Sequence, residues 1–463
     1  MSPEQQGTDQ FAGKKTLVMG LGLHGGGVET VRYLVRHGAK VVCTDLRDES
    51  ILKDSIDALN GLDIRFVLGR HDERDFDEAD FIVKNPAVPM DSPFLSGRHN
   101  LESDISLFLK SCQSPIIAVT GSKGKSTTVA ALHHILLREN PHARIGGNIT
   151  VSPLAFVDDL TGREPVVLEL SSWQLADLHA RRLLNPRIAC ITNLMYDHQN
   201  RYASFVEYEE DKKVIFENSK PGDWCVFPND EYGRNWLDAA GGKAVLVGQN
   251  GDSDYDTPRA WLDKEGRGWF YGGDEVERLL PSRLRIPGLP FRLNSLFAAV
   301  MARLWGCEPA MIYDALADFQ GLCYRMERFL EAGGIRFYDD TTATIPEAAS
   351  ASVRSLERPI ILIAGGADKS LDFSAFDDAA GIPKRILMLS GSATDAWLGR
   401  LKRLGAAVEG PFASMEAVVG RALELAESGD ALLLSPGAAS FGLFRHEFDR
   451  GDKFKSICRA KTG

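Results

Sequence analysis

One stretch of the chain, residues 116–128, joins a strand pattern, a glycine-rich turn and the beginning of a helix. Residues 116–119 are apolar and mostly β-branched, which predicts a strand, and residues 128–137 predict a helix. The turn between them reads Thr120-Gly121-Ser122-Lys123-Gly124-Lys125-Ser126-Thr127. Its glycines let backbone N–H groups face an anion, and the helix N-terminus adds partial positive charge. The stretch therefore predicts a phosphate loop for a nucleoside triphosphate, with Lys125 at the terminal phosphates and Ser126 on magnesium.

Length and composition limit the kind of protein that can carry this loop. A chain of 463 residues is too long for one hydrophobic core, and we expect three domains. Its 44% hydrophobic and 25% charged residues are typical of a soluble globular protein, and its first residues carry no signal pattern. Seven cysteines without a CxxC pair indicate a reducing cytoplasm and argue against a zinc or disulfide framework. With a net charge of −11, we expect a cytoplasmic monomer that binds neither nucleic acid nor membrane.

The N-terminal segment predicts a βαβ unit with a second glycine-rich turn. A strand at residues 15–19 leads into Gly20-Leu21-Gly22-Leu23-His24-Gly25, a GxGxxG pattern, and a helix is predicted at residues 28–37. The next strand, residues 40–44, ends in Asp45-Leu46-Arg47, where an acidic residue can contact a ribose or base. A third strand is predicted at residues 80–84. Such a unit binds a pyrophosphate or a nucleotide-sugar, and NAD or FAD is the common alternative for the pattern taken alone.

Polar residues lie at the ends of two predicted strands that follow the phosphate loop. The strand at residues 165–170 contains Glu169 and ends in Ser171-Ser172-Trp173-Gln174, and the strand at residues 187–192 runs on to His198. Ligands of α/β sheets bind at the carboxyl ends of parallel strands, so Glu169 and His198 are candidates for a metal or phosphate site. Taken alone, His198 could equally be a hydrogen-bonded loop histidine.

The remainder of the chain predicts a third α/β unit. Residues 251–273 predict a small β excursion without chemistry, and residues 294–304 predict a helix. Beyond a linker near residue 320, strands alternate with helices again. Strands are predicted at 335–338, 360–364, 385–389 and 431–434, and helices at 346–356 and 415–427. We therefore predict three α/β domains, at residues 1–108, 109–321 and 322–463.

Several motifs in register resemble those of the Mur ligase family. They are the phosphate loop, Gly146-Gly147-Asn148-Ile149, Leu168-Glu169-Leu170-Ser171-Ser172-Trp173-Gln174 and Asp197-His198-Gln199-Asn200-Arg201-Tyr202. The resemblance implies a Rossmann-like domain for a UDP-sugar, a central ATPase-like domain and a Rossmann-like C-terminal domain for the amino acid. It also implies the activity, which is ATP-dependent ligation of glutamate to UDP-N-acetylmuramoyl-L-alanine through an acyl phosphate in peptidoglycan synthesis. On this interpretation residues 20–25 hold a uridine nucleotide and not NAD.

The resemblance implies a role for each motif residue. Lys125, His198 and Lys212 would be catalytic, and ATP would contact Gly121, Ser122, Lys123, Gly124, Lys125, Ser126, Thr127, Asn294, Arg325 and Asp340. Magnesium would be held by Ser126, Glu169, His198 and a carbamylated Lys212, with Lys213 as the adjacent alternative for that modification. The UDP-sugar would contact Leu23, His24, Asp45, Arg47, Asn148 and Gln174. The amino acid would contact Thr344, Lys369, Ser440 and Glu447.

Departures from the family pattern fall near the adenine and amino-acid sites. Pro290-Phe291 replaces a His-Asn pair, Asn200 replaces an aspartate, Thr342 replaces a lysine, and Glu447 replaces an aromatic residue. A carboxylate at 447 beside glutamate would cost free energy unless it is paired, so we expect an altered substrate pose. These changes favour the branch of the family that adds L-glutamate, and D-glutamate is the alternative. Other amino-acid-adding ligases, folate-tail glutamate ligases and a non-catalytic nucleotide-binding switch are more remote alternatives.

Overall fold

The computed structural model describes residues 10–23, 25–149, 151–195, 202, 204–249, 257–368, 371–440 and 442–463. Within these residues the chain forms three β-sheets connected by helices. The predicted fold class, α/β with three sheet-based domains, is confirmed. None of the helices in these ranges is both long and apolar enough to cross a membrane.

The first sheet carries the N-terminal glycine-rich turn. Its elements are β1 (Lys15–Met19), α1 (Gly26–Arg36), β2 (Lys40–Asp45), α2 (Glu49–Asp57), β3 (Ile64–Leu68), α3 (Glu73–Asp77), β4 (Phe81–Lys84), β5 (Leu101–Glu102) and α4 (Asp104–Ser111). The five strands are parallel in the order β3-β2-β1-β4-β5. The glycine-rich turn follows β1 and Asp45 ends β2. Both therefore lie at the carboxyl edge of the sheet, where α/β proteins bind ligands.

The second sheet carries the phosphate loop. Its strands are β6 (Ile116–Thr120), β7 (Arg144–Gly147), β8 (Val166–Glu169), β9 (Ile188–Ile191), β10 (Trp224–Pro228), β11 (Lys243–Gln249), β12 (Arg259–Leu262), β13 (Gly268–Tyr271) and β14 (Val276–Leu280). Its helices are α5 (Lys125–Glu139), α6 (Ser172–Ala176), α7 (Phe205–Lys213), α8 (Glu231–Asn235), α9 (Leu289–Trp305) and α10 (Pro309–Asp318). The strand order is β14-β13-β12-β11-β10-β9-β6-β8-β7. Every residue of β6, β8 and β9 is buried, as continuous apolar runs in a parallel sheet predict.

The third sheet lies in the C-terminal part of the chain. Its elements are β15 (Glu327–Ala332), β16 (Ile335–Asp339), α11 (Pro346–Arg354), β17 (Ile360–Ala364), β18 (Arg385–Leu389), α12 (Thr394–Arg403), β19 (Val408–Phe412), α13 (Met415–Leu425), β20 (Ala431–Leu434) and α14 (Glu447–Thr462). The strand order is β15-β16-β20-β17-β18-β19, parallel except for the edge pair β15 and β16. The carboxyl ends of β16 and β20 are neighbours, so the loops that follow them meet.

The described chain divides into two compact units. One unit comprises the residues up to Pro281 together with Asn294–Ala315, and the other comprises Ser282–Leu293 and Leu316–Gly463. In the first unit one continuous hydrophobic core underlies both sheets, and the rings of Phe108 and Phe156 lie 6.1 Å apart within it. The predicted domain boundaries remain a prediction.

A buried ion pair also joins the two sheets of the first unit. Lys84, the last residue of β4, places its Nζ atom 2.8 Å from Oδ2 of Asp177, which follows α6. The side chains are 2% and 4% exposed. Lys84 also donates a hydrogen bond of 3.1 Å to the carbonyl of Val88. The pair therefore connects α6 with the loop after β4.

Several elements differ from the sequence predictions. Residues 64–68 form β3, so residues 80–84 hold the fourth strand of the sheet and not the third. The pattern of β3 is weak because it is an edge strand in which only Val67 is fully buried. The segment predicted as a small β excursion does contain two short strands, β12 and β13, and with β14 they extend the edge of the second sheet. Residues 251–256 of that prediction lie outside the described residues.

Four C-terminal elements, β15, β19, α12 and α14, were not predicted. Strands β15 and β19 are sheet edges with no fully buried residue, so their apolar pattern is interrupted by charges. Helix α14 is mostly polar and gives little helical periodicity.

We predict that Lys84→Met lowers the free energy of unfolding by about 3–5 kcal/mol, because it leaves the Asp177 carboxylate buried without its cation. The double variant Lys84→Met/Asp177→Leu should recover most of this loss, since the Asp177 carboxylate is then also absent. Urea denaturation measures both values.

Lys53→Met is the matched control for this experiment. Lys53 pairs with Asp57 at the surface, 2.6 Å apart with side chains 70% and 51% exposed. Its loss should leave the free energy of unfolding close to the wild-type value, because an exposed ion pair adds little to stability. Equal changes in the free energy of unfolding from Lys84→Met and Lys53→Met would contradict a stabilising role for the buried ion pair between the two sheets.

Candidate active site

The phosphate loop adopts a conformation that only glycine allows at two positions. Gly121 and Gly124 have φ angles of 146° and 84°. A Cβ atom on Gly121 would lie 2.0 Å from Oγ1 of Thr192, and one on Gly124 would lie 2.3 Å from Oδ1 of Asn294. The loop is therefore packed between the end of β9 and helix α9. This packing brings Asn294, a predicted ATP residue, against the loop.

Two residues after β9 hold the loop in place. The backbone N–H of Lys123 donates to Oδ1 of Asn193 at 2.9 Å, and the Asn193 side-chain amide donates back to the Lys123 carbonyl at 2.9 Å. The Thr192 hydroxyl donates to the same carbonyl at 2.7 Å. Thr192 and Asn193 were not predicted as site residues. The available signal was their position directly after a buried strand next to β6.

Lys125 is the first residue of α5 and folds back over the loop. Its Nζ atom donates to the carbonyls of Gly121 and Ser122 at 2.8 and 3.1 Å. Ser126 is half-buried and Thr127 is buried in the first helical turn. The positive end of a helix of 15 residues and a lysine cation thus lie at the same loop, which suits a polyphosphate.

Glu169 supplies a buried carboxylate beside the loop. It ends β8, where it pairs in register with Val119 of β6 and Gly147 of β7. The side-chain amide of Asn148 donates to its Oε1 atom at 3.0 Å. The Oε2 atom is buried and has no hydrogen-bond partner among the described residues. A buried carboxylate oxygen of this kind suits a hard divalent cation, so the residues present fit magnesium.

No cluster of three or more His, Cys, Asp or Glu side chains suitable for a metal occurs within the described ranges. Glu169 would therefore need further ligands from elsewhere. His198, the predicted partner ligand, lies outside the described residues, as do His24 and Lys369.

Lys212 lies in the interior against the phosphate loop, whereas Lys213 faces the surface. Lys212 is 1% exposed, and its Nζ atom lies 3.0 Å from the Gly121 carbonyl oxygen and 3.4 Å from Oγ1 of Thr120. It also lies 4.6 Å from the centre of the Tyr208 ring. Lys213 instead pairs with Glu210 at 2.8 Å. Of the two lysines considered for carbamylation, Lys212 is the one beside the loop.

One cleft of about 1120 Å³ extends between the two glycine-rich loops of the first unit. Its lining includes Gly20, Gly22, Leu23, Asp45 and Arg47 from the first sheet, and Gly121, Lys125, Asn148, Gln174 and Lys212 from the second. The structure therefore brings five of the six predicted UDP-sugar residues and part of the phosphate loop to a single cavity.

Asp45 organises the N-terminal end of this cleft. Its Oδ2 atom accepts a hydrogen bond of 3.2 Å from the backbone N–H of Gly22, and its Oδ1 atom accepts one of 2.9 Å from that of Arg47. Asp45 is 4% exposed, whereas the Leu23 side chain is 50% exposed at the cleft. Asp45 thus fixes the shape of the loop, and Leu23 offers an apolar surface to a ligand.

Gln174, which lines the cleft, forms hydrogen bonds with Ser171. Its backbone N–H bonds to the Ser171 hydroxyl at 3.2 Å, and its Oε1 atom accepts from the Ser171 N–H at 3.1 Å. This capping box begins α6. The side chain still lines the cleft, with its carbonyl end used by the helix cap.

Two residues of the cleft with shifted pKa values were not identified from the sequence. Asp104, the first residue of α4, lines the cleft, and burial together with the nearby Asp177 raises the pKa of its carboxyl to about 6. His71 also lines it, and burial lowers the pKa of that imidazole. Neither residue belongs to a recognisable motif, so only the fold brings them to the site.

The second unit contains the other predicted ATP and amino-acid residues. Arg325 is exposed, whereas Asp340 is 6% exposed. The Asp340 carboxylate accepts hydrogen bonds from the hydroxyls of Ser352 and Ser435 at 2.5 and 2.7 Å and from the Met326 N–H at 3.1 Å. Direct contact of this interior carboxylate with ATP remains a prediction.

The loops after β16 and β20 form the predicted amino-acid region. The Gly437 N–H donates to the Ala343 carbonyl at 2.8 Å, so the loops that carry Thr344 and Ser440 are adjacent. Arg450 is fully buried and connects them by donating to the Thr341 and Ala438 carbonyls at 2.8 and 3.1 Å. The sequence analysis did not identify Arg450.

Glu447 is not a fully buried charge. It is half-buried and is the first residue of α14. The N-terminus of a helix stabilises a carboxylate. The position at the N-terminus of α14 and the attraction of the Arg450 guanidinium both reduce the expected cost of Glu447.

Comparison with known proteins defines the class to which this fold and site belong. Residues 119–302 match the Mur ligase middle domain, and residues 14–105 match the Mur ligase MurD-like N-terminal domain. The crystal structure of UDP-N-acetylmuramate–alanine ligase MurC from Thermotoga maritima has a similar fold. Its TM-score is 0.61, with 18% sequence identity over 97% of this chain and 100% of that one.

Full-length relatives are more similar in sequence. Proteins named UDP-N-acetylmuramoylalanine–D-glutamate ligase from Borreliella afzelii and Roseiflexus sp. are 39% and 38% identical to this chain. The alignments cover 97% and 98% of this chain and 98% and 100% of the relatives. The protein of the same name from Treponema pallidum is 34% identical over 98% of this chain and 99% of its own length.

The chain belongs to the Mur ligase family, and its type is MurD. It is an ATP-dependent acid–amino-acid ligase of peptidoglycan synthesis, and Mur ligases use ATP and Mg²⁺ with small-molecule substrates. The names of the relatives favour the D-glutamate alternative over the L-glutamate interpretation.

We predict that Asp340 makes the second unit less stable as pH rises. Burial raises the pKa of this carboxyl to about 6 from an ordinary 3.8, so the folded state holds the proton more tightly than the unfolded state. Stability from this group is therefore fully present below about pH 4 and is lost as pH rises to about 6. The stability of wild type relative to Asp340→Asn should fall by about 2–3 kcal/mol between pH 4 and pH 7.

Urea denaturation at the two pH values measures this difference, and Asp372→Asn is the control. Hydrogen bonds from Ser374 lower the pKa of the exposed Asp372, so its small contribution has the opposite sign and is lost as pH falls. A difference for Asp340→Asn that stays constant or grows with pH would rule out the assignment.

Proposed function

We propose that this ligase joins D-glutamate to UDP-N-acetylmuramoyl-L-alanine. ATP would convert the alanyl carboxylate into an acyl phosphate, which the amine of glutamate would attack. The observation that best supports the proposal is the cleft of about 1120 Å³ whose walls include both glycine-rich loops. A nucleotide-sugar held at the Gly20 end can extend its acyl end towards Lys125.

The phosphate-loop end of the cleft would bind ATP. Lys125 and the N-terminus of α5 neutralise phosphate charge, and the rigid loop aligns the terminal phosphate with the acyl carboxylate. A MurF ligase from Thermotoga maritima, 16% identical with a TM-score of 0.56, was solved in complex with ADP, which fits this use of the loop. The residues proposed to contact ATP are Gly121, Ser122, Lys123, Gly124, Lys125, Ser126, Thr127, Asn294, Arg325 and Asp340.

Magnesium would be held by Ser126, Glu169 and His198. When bound, this ion would neutralise negative charge on the phosphoryl group during its transfer. The Glu169 oxygen that lacks a hydrogen-bond partner among the described residues supports its part in this set. Asn148 would orient the Glu169 carboxylate through its side-chain hydrogen bond. It would also contact the muramoyl group of the substrate.

The two remaining subsites would bind the UDP-sugar and glutamate. Leu23, His24, Asp45 and Arg47 would hold the uridine nucleotide, and Gln174 the acyl portion. Thr344, Lys369, Ser440 and Glu447 would lie at the amino acid. The monomeric state remains a proposal.

We also propose that Lys212 is carbamylated. The uncharged amine would form a bond to the carbon of CO₂ and release a proton, which turns a cation into an anionic carbamate. Burial of Lys212 beside the Gly121 carbonyl supports this, because an anionic oxygen ligand there would suit magnesium near the phosphates. Lys213, which pairs with Glu210 at the surface, has no such position.

We expect Lys212→Ala to lower kcat by about 10²-fold or more, because a ligand for the metal is lost. Acetate or formate should restore part of the activity. Lys213→Ala is the matched control and should keep wild-type activity. Carbon-13 NMR of enzyme in ¹³C-bicarbonate gives a second readout, since the carbamate signal should be absent only from Lys212→Ala. A signal that persists in Lys212→Ala, or is absent from Lys213→Ala, would reject the assignment.

The choice of enantiomer is tested with purified D- and L-glutamate. We expect kcat/KM for D-glutamate to exceed that for L-glutamate by about 10²-fold, because inverting Cα misaligns the attacking amine. Phosphate release with UDP-N-acetylmuramoyl-L-alanine and each enantiomer measures this ratio. The substrate without alanine and the Lys125→Ala variant are controls that should release no phosphate. A higher kcat/KM for L-glutamate would establish the L-glutamate interpretation instead.

A further inference from the structure

The backbone on both sides of Arg325 is strained. Tyr324 and Met326 have φ angles of 66° and 47°, in the left-handed region that residues with a Cβ avoid. Only Ala180 and Arg182 share this feature among the non-glycine residues that the structure describes. Such conformations persist only where surrounding contacts hold them, and they are common at functional sites. Contacts with neighbouring residues must therefore hold this turn.

Contacts from two directions hold Tyr324. The Thr342 hydroxyl donates to the Tyr324 carbonyl at 2.9 Å, and the Thr342 backbone N–H donates to it at 3.3 Å. The Tyr324 N–H donates to Oε2 of Glu327 at 2.9 Å, and its phenol donates to Oδ1 of Asp452 at 2.9 Å. Every polar group of Tyr324 is thus used to hold the turn.

Lys455 balances the charge of this arrangement. Its Nζ atom lies 3.0 Å from Oε2 of Glu327, 3.8 Å from Oδ1 of Asp452 and 3.9 Å from the centre of the Tyr324 ring. On the other side of Arg325, the Met326 N–H donates to Oδ1 of Asp340 at 3.1 Å. The Arg325 side chain is exposed between these two fixed neighbours.

We propose that Thr342 is a positioning residue for phosphoryl transfer. Its hydroxyl fixes the strained turn at Tyr324, and the turn presents the Arg325 guanidinium to the phosphates of ATP. This inference rests on the proposed role of Arg325. It also explains why threonine replaces the family lysine at position 342. The short threonine hydroxyl donates a hydrogen bond to the Tyr324 carbonyl.

The position of Thr342 also connects two subsites. It lies two residues before Thr344, in the loop proposed to bind glutamate. A displacement of this loop therefore moves the hydrogen bond that holds the Arg325 turn. Binding of the amino acid and alignment of the phosphate-binding arginine share one stretch of backbone.

The test is a double-mutant cycle between Thr342 and Arg325. Thr342→Val removes the hydroxyl and keeps the branched shape. We expect kcat to fall about 10-fold, since small misplacements of a catalytic group are costly, with KM for UDP-N-acetylmuramoyl-L-alanine unchanged. Thr342→Ser keeps the hydroxyl and should stay within about 2-fold of wild type. In the Arg325→Ala background, Thr342→Val should have no further effect, because Thr342 acts through Arg325.

Several results would overturn the proposal. Equal losses from Thr342→Val in both backgrounds would mean that Thr342 acts independently of Arg325, for example on glutamate itself. A wild-type kcat for Thr342→Val, or a loss not rescued by Thr342→Ser, would also overturn it. Thermal unfolding of each variant ensures that kcat compares folded proteins. Failure of the proposed function is distinct, because the wild-type enzyme would then either prefer L-glutamate or form no product with either glutamate enantiomer.

Discussion

Close packing around the phosphate loop is the constraint on which the rest of the site depends. Neither Gly121 nor Gly124 has room for a Cβ atom, because Thr192 on one side and Asn294 on the other are in contact distance. The loop is fixed from both sides, so its N–H groups are oriented before a ligand arrives. Donors that need no reorganisation during the reaction stabilise developing charge best. The positions of Glu169 and Lys212 have meaning only relative to this fixed loop.

A fixed loop is useful only if the acyl end of the second substrate reaches it reproducibly. The first unit achieves this with one hydrophobic core beneath both sheets and with the buried pair Lys84–Asp177 between them. A buried ion pair adds little net stability compared with well-packed apolar residues, whereas removal of one partner is costly. Here it connects the loop after β4 with α6, and residues of both line the cleft. Loss of one partner would therefore act on two walls of the cleft.

The sequence was sufficient to predict features that depend on local pattern. Strand β6, the phosphate loop and α5 follow from apolar runs and glycine spacing, and Glu169 follows from its place at a strand end. Edge strands such as β3 were missed because half their surface faces solvent and their apolar pattern is broken. Asn193 and Asp104 belong to no motif, and only strand order and helix packing bring them to the site. The left-handed backbone of Tyr324 could not be predicted, because tertiary contacts impose it against local preference.

The same limit applies to the choice of glutamate enantiomer. Two departures, Thr342 and Glu447, suggested an amino-acid pocket rebuilt for L-glutamate. The structure gives each a different explanation. Thr342 donates its hydroxyl to the Tyr324 carbonyl, and Glu447 begins α14, where the helix N-terminus stabilises its charge. Neither explanation requires an inverted substrate. The two enantiomers carry identical charges, so selectivity must arise from the geometry of the glutamate subsite, and single substitutions in a sequence do not reveal that geometry.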